Sequence, residues 1–373
     1  MSKKTEIRQK NELAKRKYLV WYKGAEGMSE LTIRAVEKAI EKYEDCTQNE
    51  DFAMYSLKRA EIFKKYLETN LGKRSGRALN IKSRYAILRH VRNYFAWLSS
   101  QPGYKSKIKT SDIAYLQLSK EENRQAIAPS EPKYPNLDQV KLLCSFPVVT
   151  EIDKRDRALI AFTALTGMRD RAVITLPIGC YDPLDHVVKQ LPSKGVETKF
   201  KKEIYTTLLP IDQTLYDYFN DWYTYLRSEC RFVDTEPLFP STEIGLISPE
   251  HHAYEVKGVS RKFWADAGPM RKIFRDRCNQ MGIEYFYPHT FRHFVTNLAE
   301  QYISTPEQMK ALSQNLGHEN IATTYRAYGA ITTKKVNEIV RGIDFSQSVV
   351  NRQTTDIARQ VLELIKAQNI SVK

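Results

Sequence analysis

The sequence predicts a mainly α-helical protein with one small β-sheet or hairpin, α+β in class, split into an all-helical first domain and a mixed second one. Three observations predict it. Apolar residues recur at three- and four-residue steps along most of the 373-residue chain, the signature of amphipathic helices. A polar stretch carrying Pro129, Pro132 and Pro135 interrupts that pattern once, and the length suits about two domains. Short β-like pieces cluster only between residues 173 and 210. With 42% hydrophobic and 27% charged residues, the composition excludes disordered, collagen-like and coiled-coil classes.

Residues 1–27 are rich in Lys and Arg and read as a basic N-terminal arm, mobile or forming a single helix. From Thr32 the positions Ile33, Val36, Ile40 and Tyr43 mark a helix. A second is expected over 52–69, with Tyr55, Leu57, Ile62 and Tyr66 among its apolar positions. Leu71 to Gly76 reads as a basic turn, with Gly72 ending the helix before it. A third helix over Ile81–Leu98 carries Tyr85, Leu88, Val91, Tyr94, Phe95 and Leu98, interleaved with Lys82, Arg84, Arg89 and Arg92. Residues 28–116 are therefore expected to form a helical bundle with a basic face, followed by a linker over 117–136.

The second domain is expected over 137–345. Asn136 opens a helix, and another over Arg155–Thr166 ends at Gly167. Pro177, Gly179 and Pro183 break up the β-like pieces of 173–190, and residues 196–210 are expected to fold back on themselves as a hairpin with a Lys-rich tip. Helices follow over 213–230, 261–281, 290–302 and 305–316, the last with Ser304 and Glu307 as a capping box and Pro306 in its first turn. Ile357, Val361, Leu364 and Ile365 suggest a tail helix within 346–373.

Charge separates the two halves. Residues 1–120 hold 26 basic and 13 acidic side chains, whereas the other 253 hold 32 and 31, so the first third carries nearly all of the +14 excess. No amphipathic anchor rich in Trp or Leu accompanies the basic runs, which favours nucleic acid over a lipid surface as partner. No apolar run reaches eighteen residues and the N-terminus lacks a signal-peptide core, so a cytoplasmic, nucleoid-associated location without membrane contact is expected. The cysteines (Cys46, Cys144, Cys180, Cys230 and Cys278) are odd in number and contain no CxxC pair, which fits a reducing compartment and argues against a zinc site.

Three strings concentrate the chemistry: Thr166-Gly-Met-Arg169, His289-Thr-Phe-Arg292-His293, and Leu316-Gly-His318 with Tyr325 and Tyr328 behind it. Paired guanidiniums grip phosphate oxygens through forked, charge-assisted bonds and stabilise a pentacovalent phosphorane. A Tyr hydroxyl becomes a nucleophile once a base removes its proton, and a Lys can protonate a departing alkoxide. There is no carboxylate cluster for Mg²⁺ and no GxxxxGK[ST] loop, so neither metal nor nucleotide cofactor is expected.

In order and spacing these strings resemble the catalytic signature of the tyrosine recombinases, the phage integrase family, over about residues 137–345. The resemblance implies a mixed α/β catalytic domain preceded by a helical core-binding domain. It assigns Arg169 and Arg292 to phosphate binding, His289 to hydrogen bonding and general-base help, His318 to the scissile phosphate, Lys199 to the leaving oxygen and Tyr328 to the attack. Lys194, Lys201 and Lys202 are close alternatives for the lysine, and Tyr325 for the nucleophile. His293 is read as packing or as supporting the neighbouring site residues. Lys73, Arg74, Arg77, Lys82, Arg84 and Arg89 are the expected DNA contacts of the first domain. One position departs from the family: Ala172 stands where an acidic residue is frequent, and Asp170, though near, is expected to point elsewhere on its helix.

The family resemblance further implies a site-specific recombinase or integrase, working on double-stranded DNA through a 3′-phosphotyrosyl link without ATP or metal. A homotetramer on two DNA sites, exchanging strands through a Holliday junction, is its implied assembly, with room for accessory DNA-bending or directionality proteins. A type IB topoisomerase-like enzyme and a catalytically inactive DNA-binding regulator are the alternatives.

Overall fold

In the computed structural model, residues 3–69, 76, 78–128, 133–248, 253–303 and 306–318 are described. The chain divides into two compact units, Met1–Pro129 and Ser130–Lys373, a boundary that falls within the proline-marked stretch.

The first unit is helical: α1 (Lys3–Gly24), α2 (Glu30–Cys46), α3 (Leu57–Thr69), α4 (Ile81–Leu98), the single turn α5 (Thr110–Ile113) and α6 (Lys120–Ile127). Residues 1–27 do not stand apart as an arm. Asn11, Ala14, Lys15 and Tyr18 of α1 are buried, and Tyr18 packs on Tyr94 and Trp97 of α4 at 5.2 Å. Lys15 can enter this interior because its Nζ donates to Glu44 (2.9 Å) and Glu12 (2.6 Å), since a buried charge needs partners. The helix expected over 52–69 is broken. Phe52–Met54 form a 3-10 turn capped by Asp51, and α3 buries Ala60, Phe63 and Leu67 while Ile62 faces water. An aromatic cluster supplies the core, with Tyr55 stacked on Phe95 at 4.2 Å and Tyr43 edge-on to Phe95 at 4.9 Å. Residues 120–127 of the expected linker form α6, whose capping box joins Ser119 and Glu122.

The second unit is α+β, built from α7 (Leu137–Cys144), α8 (Glu151–Thr166), α9 (Asp170–Ile174), β1 (Tyr181–Asp182), β2 (Val187–Gln190), β3 (Ile204–Thr207), α10 (Gln213–Thr224), β4 (Thr242–Ser248), β5 (Ala253–Val259), α11 (Gly268–Gln280), α12 (Thr290–Glu300) and α13 (Pro306–Asn315). The helix α8 is buried on nearly every side from Ala158 onward and forms the centre of the core. Its start lies four residues earlier than expected, at a Thr150/Asp153 capping box, and its end is at Gly167 in the left-handed conformation (φ 58°).

β1, β2 and β3 form an antiparallel sheet in that order, with Val188 opposite Thr206 and Gln190 opposite Ile204. Residues 196–210 are therefore not a hairpin by themselves: β3 pairs back with β2, leaving residues 191–203 as the connecting loop. A second antiparallel pair, β4–β5, lies within a stretch where no strands were expected, and α11 starts only at Gly268. Ser304 and the expected tail helix lie outside the described residues.

Candidate active site

The end of α8, the start of α9, the start of α12 and the end of α13 converge, and Arg292 joins them. Its side chain is 7% exposed. Nη1 donates to the Gly167 carbonyl (3.0 Å), Nη2 to the Leu316 carbonyl, and Nε to Nε2 of His318 (3.2 Å). Both carbonyls sit where a helix ends, at the negative pole that favours a cation. Three of five guanidinium donors are thus used by described residues, leaving two N–H groups for an incoming oxygen. Burial, reinforced by Arg169 nearby, lowers the Arg292 pKa to about 9. Arg169 caps the N-terminus of α9, and burial lowers its pKa as well.

Two glycines make the convergence possible. A Cβ on Gly167 would lie 3.0 Å from Leu316 and 3.5 Å from the Arg292 backbone. Gly317, at φ 64°, abuts Ile204 of β3 so closely that a Cβ would lie 2.5 Å from its Cδ1. The glycines of both short strings therefore serve the approach of one backbone segment to another.

His318 is held neutral. Burial first, then Arg292, Arg169 and Lys199, lower its pKa to about 3. Because Nε2 accepts from Arg292, its ring proton is assigned to Nδ1. His289 is also shifted down, by burial, His293 and the two arginines, while Asp170 opposes the shift. Asp170 was expected to point away. It is held by Nε and Nη2 of Arg271 (3.2 Å each), and its charge acts on His289. Ala172, at the departing position, is buried. His293 lies edge-on to His289 (5.8 Å) and stacks on Tyr134 (6.5 Å).

The β2–β3 loop brings up the lysines. Phe200 and Lys201 have positive φ, and Lys199 Nζ lies 4.8 Å from the Phe200 ring centroid. Its charge bears on His318, whereas that of Lys194 bears on Cys180. Arg171 pairs with Glu197, and the Glu197 backbone N–H donates to Thr175 Oγ1 (2.9 Å), so the loop is tied to α9. The reading by motif missed Asn315. Its Oδ1 accepts from Thr207 N (2.7 Å), its Nδ2 donates to Thr207 O (3.0 Å), and its own carbonyl accepts from Thr206 Oγ1 (2.8 Å). Asn315 thereby clasps β3 to the end of α13, three residues before His318. Its only sequence signal is a side chain with both donor and acceptor at a helix end.

Tyr325 and Tyr328 lie outside the described residues, as do Lys73, Arg74 and Arg77. On α4, Lys82 and Arg89 are exposed, while Arg84 is within 3.4 Å of both Glu68 and Glu122. Among the described residues no three His, Cys, Asp or Glu side chains could hold a metal ion together. No described helix is long and apolar enough to cross a membrane.

Residues 135–335 match the profile of the phage integrase family, more than half of the chain. The chain belongs to that family. It is 25% identical over 324 residues to a tyrosine recombinase XerD of Listeria monocytogenes serovar 1/2a, covering 84% of this chain and 93% of the relative. With the XerD of Listeria innocua serovar 6a the identity is 27% over 218 residues, 57% of this chain and 63% of the relative. The fold is similar to that of lambda integrase as a dimer bound to a COC′ core site (TM-score 0.58, 14% identity, 91% of this chain and 80% of that one). The likeness extends to its tetramer bound to a Holliday junction (TM-score 0.55, 14% identity, 83% and 77%). The mainly α architecture with small antiparallel sheets is that of the tyrosine recombinases.

Proposed function

We propose that this chain is a site-specific DNA recombinase or integrase that cuts and rejoins double-stranded DNA through a 3′-phosphotyrosyl intermediate. The observation that carries the reading is the meeting of Arg169, Arg292 and a neutral His318 at helix ends, with the Lys199 charge bearing on the same imidazole. Such a cluster suits a phosphodiester, whose charge grows as a fifth oxygen adds.

In this mechanism Tyr328 Oη attacks the scissile phosphorus while His289, neutral near pH 7, takes its proton. The P–O5′ bond breaks, and Lys199 gives a proton to the departing 5′ oxygen. The Arg292 and Arg169 guanidiniums and His318 hold the non-bridging oxygens. Attack by the 5′-hydroxyl of a partner strand reverses the step, so the bond energy is kept in the phosphotyrosine. Four copies on two DNA sites, with Lys82, Arg89 and the basic residues Lys73, Arg74 and Arg77 on the DNA backbone, complete the reading.

The test uses nicked suicide DNA carrying a site selected from a random library by binding. Wild type is expected to give a covalent protein–DNA band that Tyr328→Phe abolishes and Tyr325→Phe retains. Lys199→Ala is expected to suppress the band while Lys194→Ala, Lys201→Ala and Lys202→Ala keep it. Specific binding with no band in the wild type would point to a non-catalytic binder, and relaxation of supercoils without partner sites to a topoisomerase.

A further inference from the structure

The tip of the β2–β3 loop holds an aromatic side chain for which the strand-cutting chemistry has no use. Thr198 closes the tip: its Oγ1 donates to the Lys202 carbonyl (2.6 Å), and its own carbonyl accepts from Lys201 N (3.2 Å). Residues 199–201 therefore form a tight turn with Phe200 at its apex, at φ 61° and ψ 21°. That left-handed conformation suits Gly or Asn and is costly for a bulky aromatic residue. The ring is also 66% exposed, more than any other described phenylalanine. In the folded chain it meets the Lys199 ammonium at 4.8 Å, a contact that returns little at an exposed site. Backbone strain of this kind persists where a site uses it, which points to a ligand for the ring.

The place of the tip selects that ligand. The loop is anchored on both sides of the phosphate cluster: Glu197 N donates to Thr175 Oγ1 (2.9 Å), and Ile204 lies against Gly317, the neighbour of His318. Lys199 bears its charge on His318 itself. Phe200 thus stands at the edge of the cluster, between Lys199 and Lys201 and next to Lys202. Such charges draw in the DNA backbone, and apolar side chains that protrude beside backbone contacts open base steps. We infer that Phe200 is a wedge whose ring enters the base step beside the scissile phosphate and unstacks it, with Lys199 kept at the departing 5′ oxygen. The opened step loosens the 5′-ended strand that the cut sets free. Because pyrimidine–purine steps open most easily, the wedge also makes the enzyme favour such a step there. This role rests on the reading that the cluster holds a DNA phosphate.

Intact DNA carrying a binding-selected site, with a 2-aminopurine–thymine pair placed at each position in turn, reports unstacking as a rise in fluorescence. The full-length wild type is expected to raise it about fivefold at one step, adjoining the phosphate that becomes linked to protein in the nicked-DNA assay. Phe200→Asn removes the ring and eases the backbone, so urea titration should show stability no lower than wild type while the rise is lost. Phe200→Leu, still an apolar wedge, and Lys199→Ala are expected to keep the rise. Changing the opened step to a stiff AA step is expected to lower wild-type affinity about tenfold and to leave that of Phe200→Asn nearly unchanged. An equal rise with Phe200→Asn, a rise only at steps remote from the linked phosphate, or adduct formation with no rise in the wild type would each overturn the wedge. So would a loss of adduct in Phe200→Asn with the rise intact, which makes the ring a support for Lys199. A Phe200-dependent rise without any adduct supports the wedge and overturns the strand-cutting reading alone, whereas failure to select any bound DNA overturns both.

Discussion

With two carbonyls and an imidazole already on its guanidinium, Arg292 can be replaced by no other side chain in all its contacts. A lysine keeps the charge but has three donors on one atom instead of a planar fork. Arg292→Lys is therefore expected to cut covalent adduct formation by about 10²–10³, as loss of a transition-state donor does, and the nicked-DNA assay measures it. His318 supplies a second expectation. Its folded pKa lies below the unfolded value near 6.5, so between about pH 6.5 and 3 the unfolded chain takes a proton that the folded one refuses. Stability falls as the pH drops through that window, by at most about 1.4 kcal/mol per pH unit from this group. His318→Gln should flatten the fall between pH 6.5 and 5 in urea titrations; an unchanged slope would assign the pH dependence to other groups. Arg169, Arg292 and His318 were legible as strings because each lies within two residues of a glycine or histidine in a short motif. The direction of Asp170 is fixed by Arg271, 101 residues away, which no local pattern records.

At the level of elements, the ends of helices carry the site, and their sequence signals were unequal. Gly167 ends α8 as a left-handed cap must, so that boundary could be read directly. The partner of β3 could not, since its register depends on β2 and on Asn315, 108 residues from Thr207. The β4–β5 pair was not legible either, since its strands pair only with each other and their register shifts between Glu243 and Ile244 and between Leu246 and Ser248. Gly317 links the two kinds of element, resting on Ile204 while presenting His318. Gly317→Ala adds strain of about 1–3 kcal/mol at its positive φ and pushes on β3. Adduct formation is expected to fall with little change in DNA affinity. Asn315→Ala should have the same signature, because it releases the clasp and leaves the DNA-facing charges in place. A parallel loss of DNA affinity in both variants would show that the sheet and α13 act in binding instead.

The charge of the whole molecule is divided as its chemistry is: residues 1–120 hold nearly all of the excess, and the catalytic strings lie in the near-neutral remainder. If the first unit provides most of the phosphate contacts, DNA affinity depends on salt chiefly through its side chains. Each phosphate neutralised releases condensed counterions and adds about 0.9 to the slope of log affinity against log salt. Lys82→Ala and Arg89→Ala, at exposed positions of α4, are each expected to reduce that slope by about one and to weaken specific and non-specific DNA alike. Lys272→Ala is the matched control in the second unit, where the lysine is 74% exposed but bound to Asp276 at 2.6 Å. It should leave the slope unchanged. Equal slopes for all three variants would mean that the basic first third is a solvated surface, and that the DNA is gripped elsewhere. A reduced slope for Lys82→Ala and Arg89→Ala, with full adduct formation once DNA is saturating, would separate holding the duplex from cutting it.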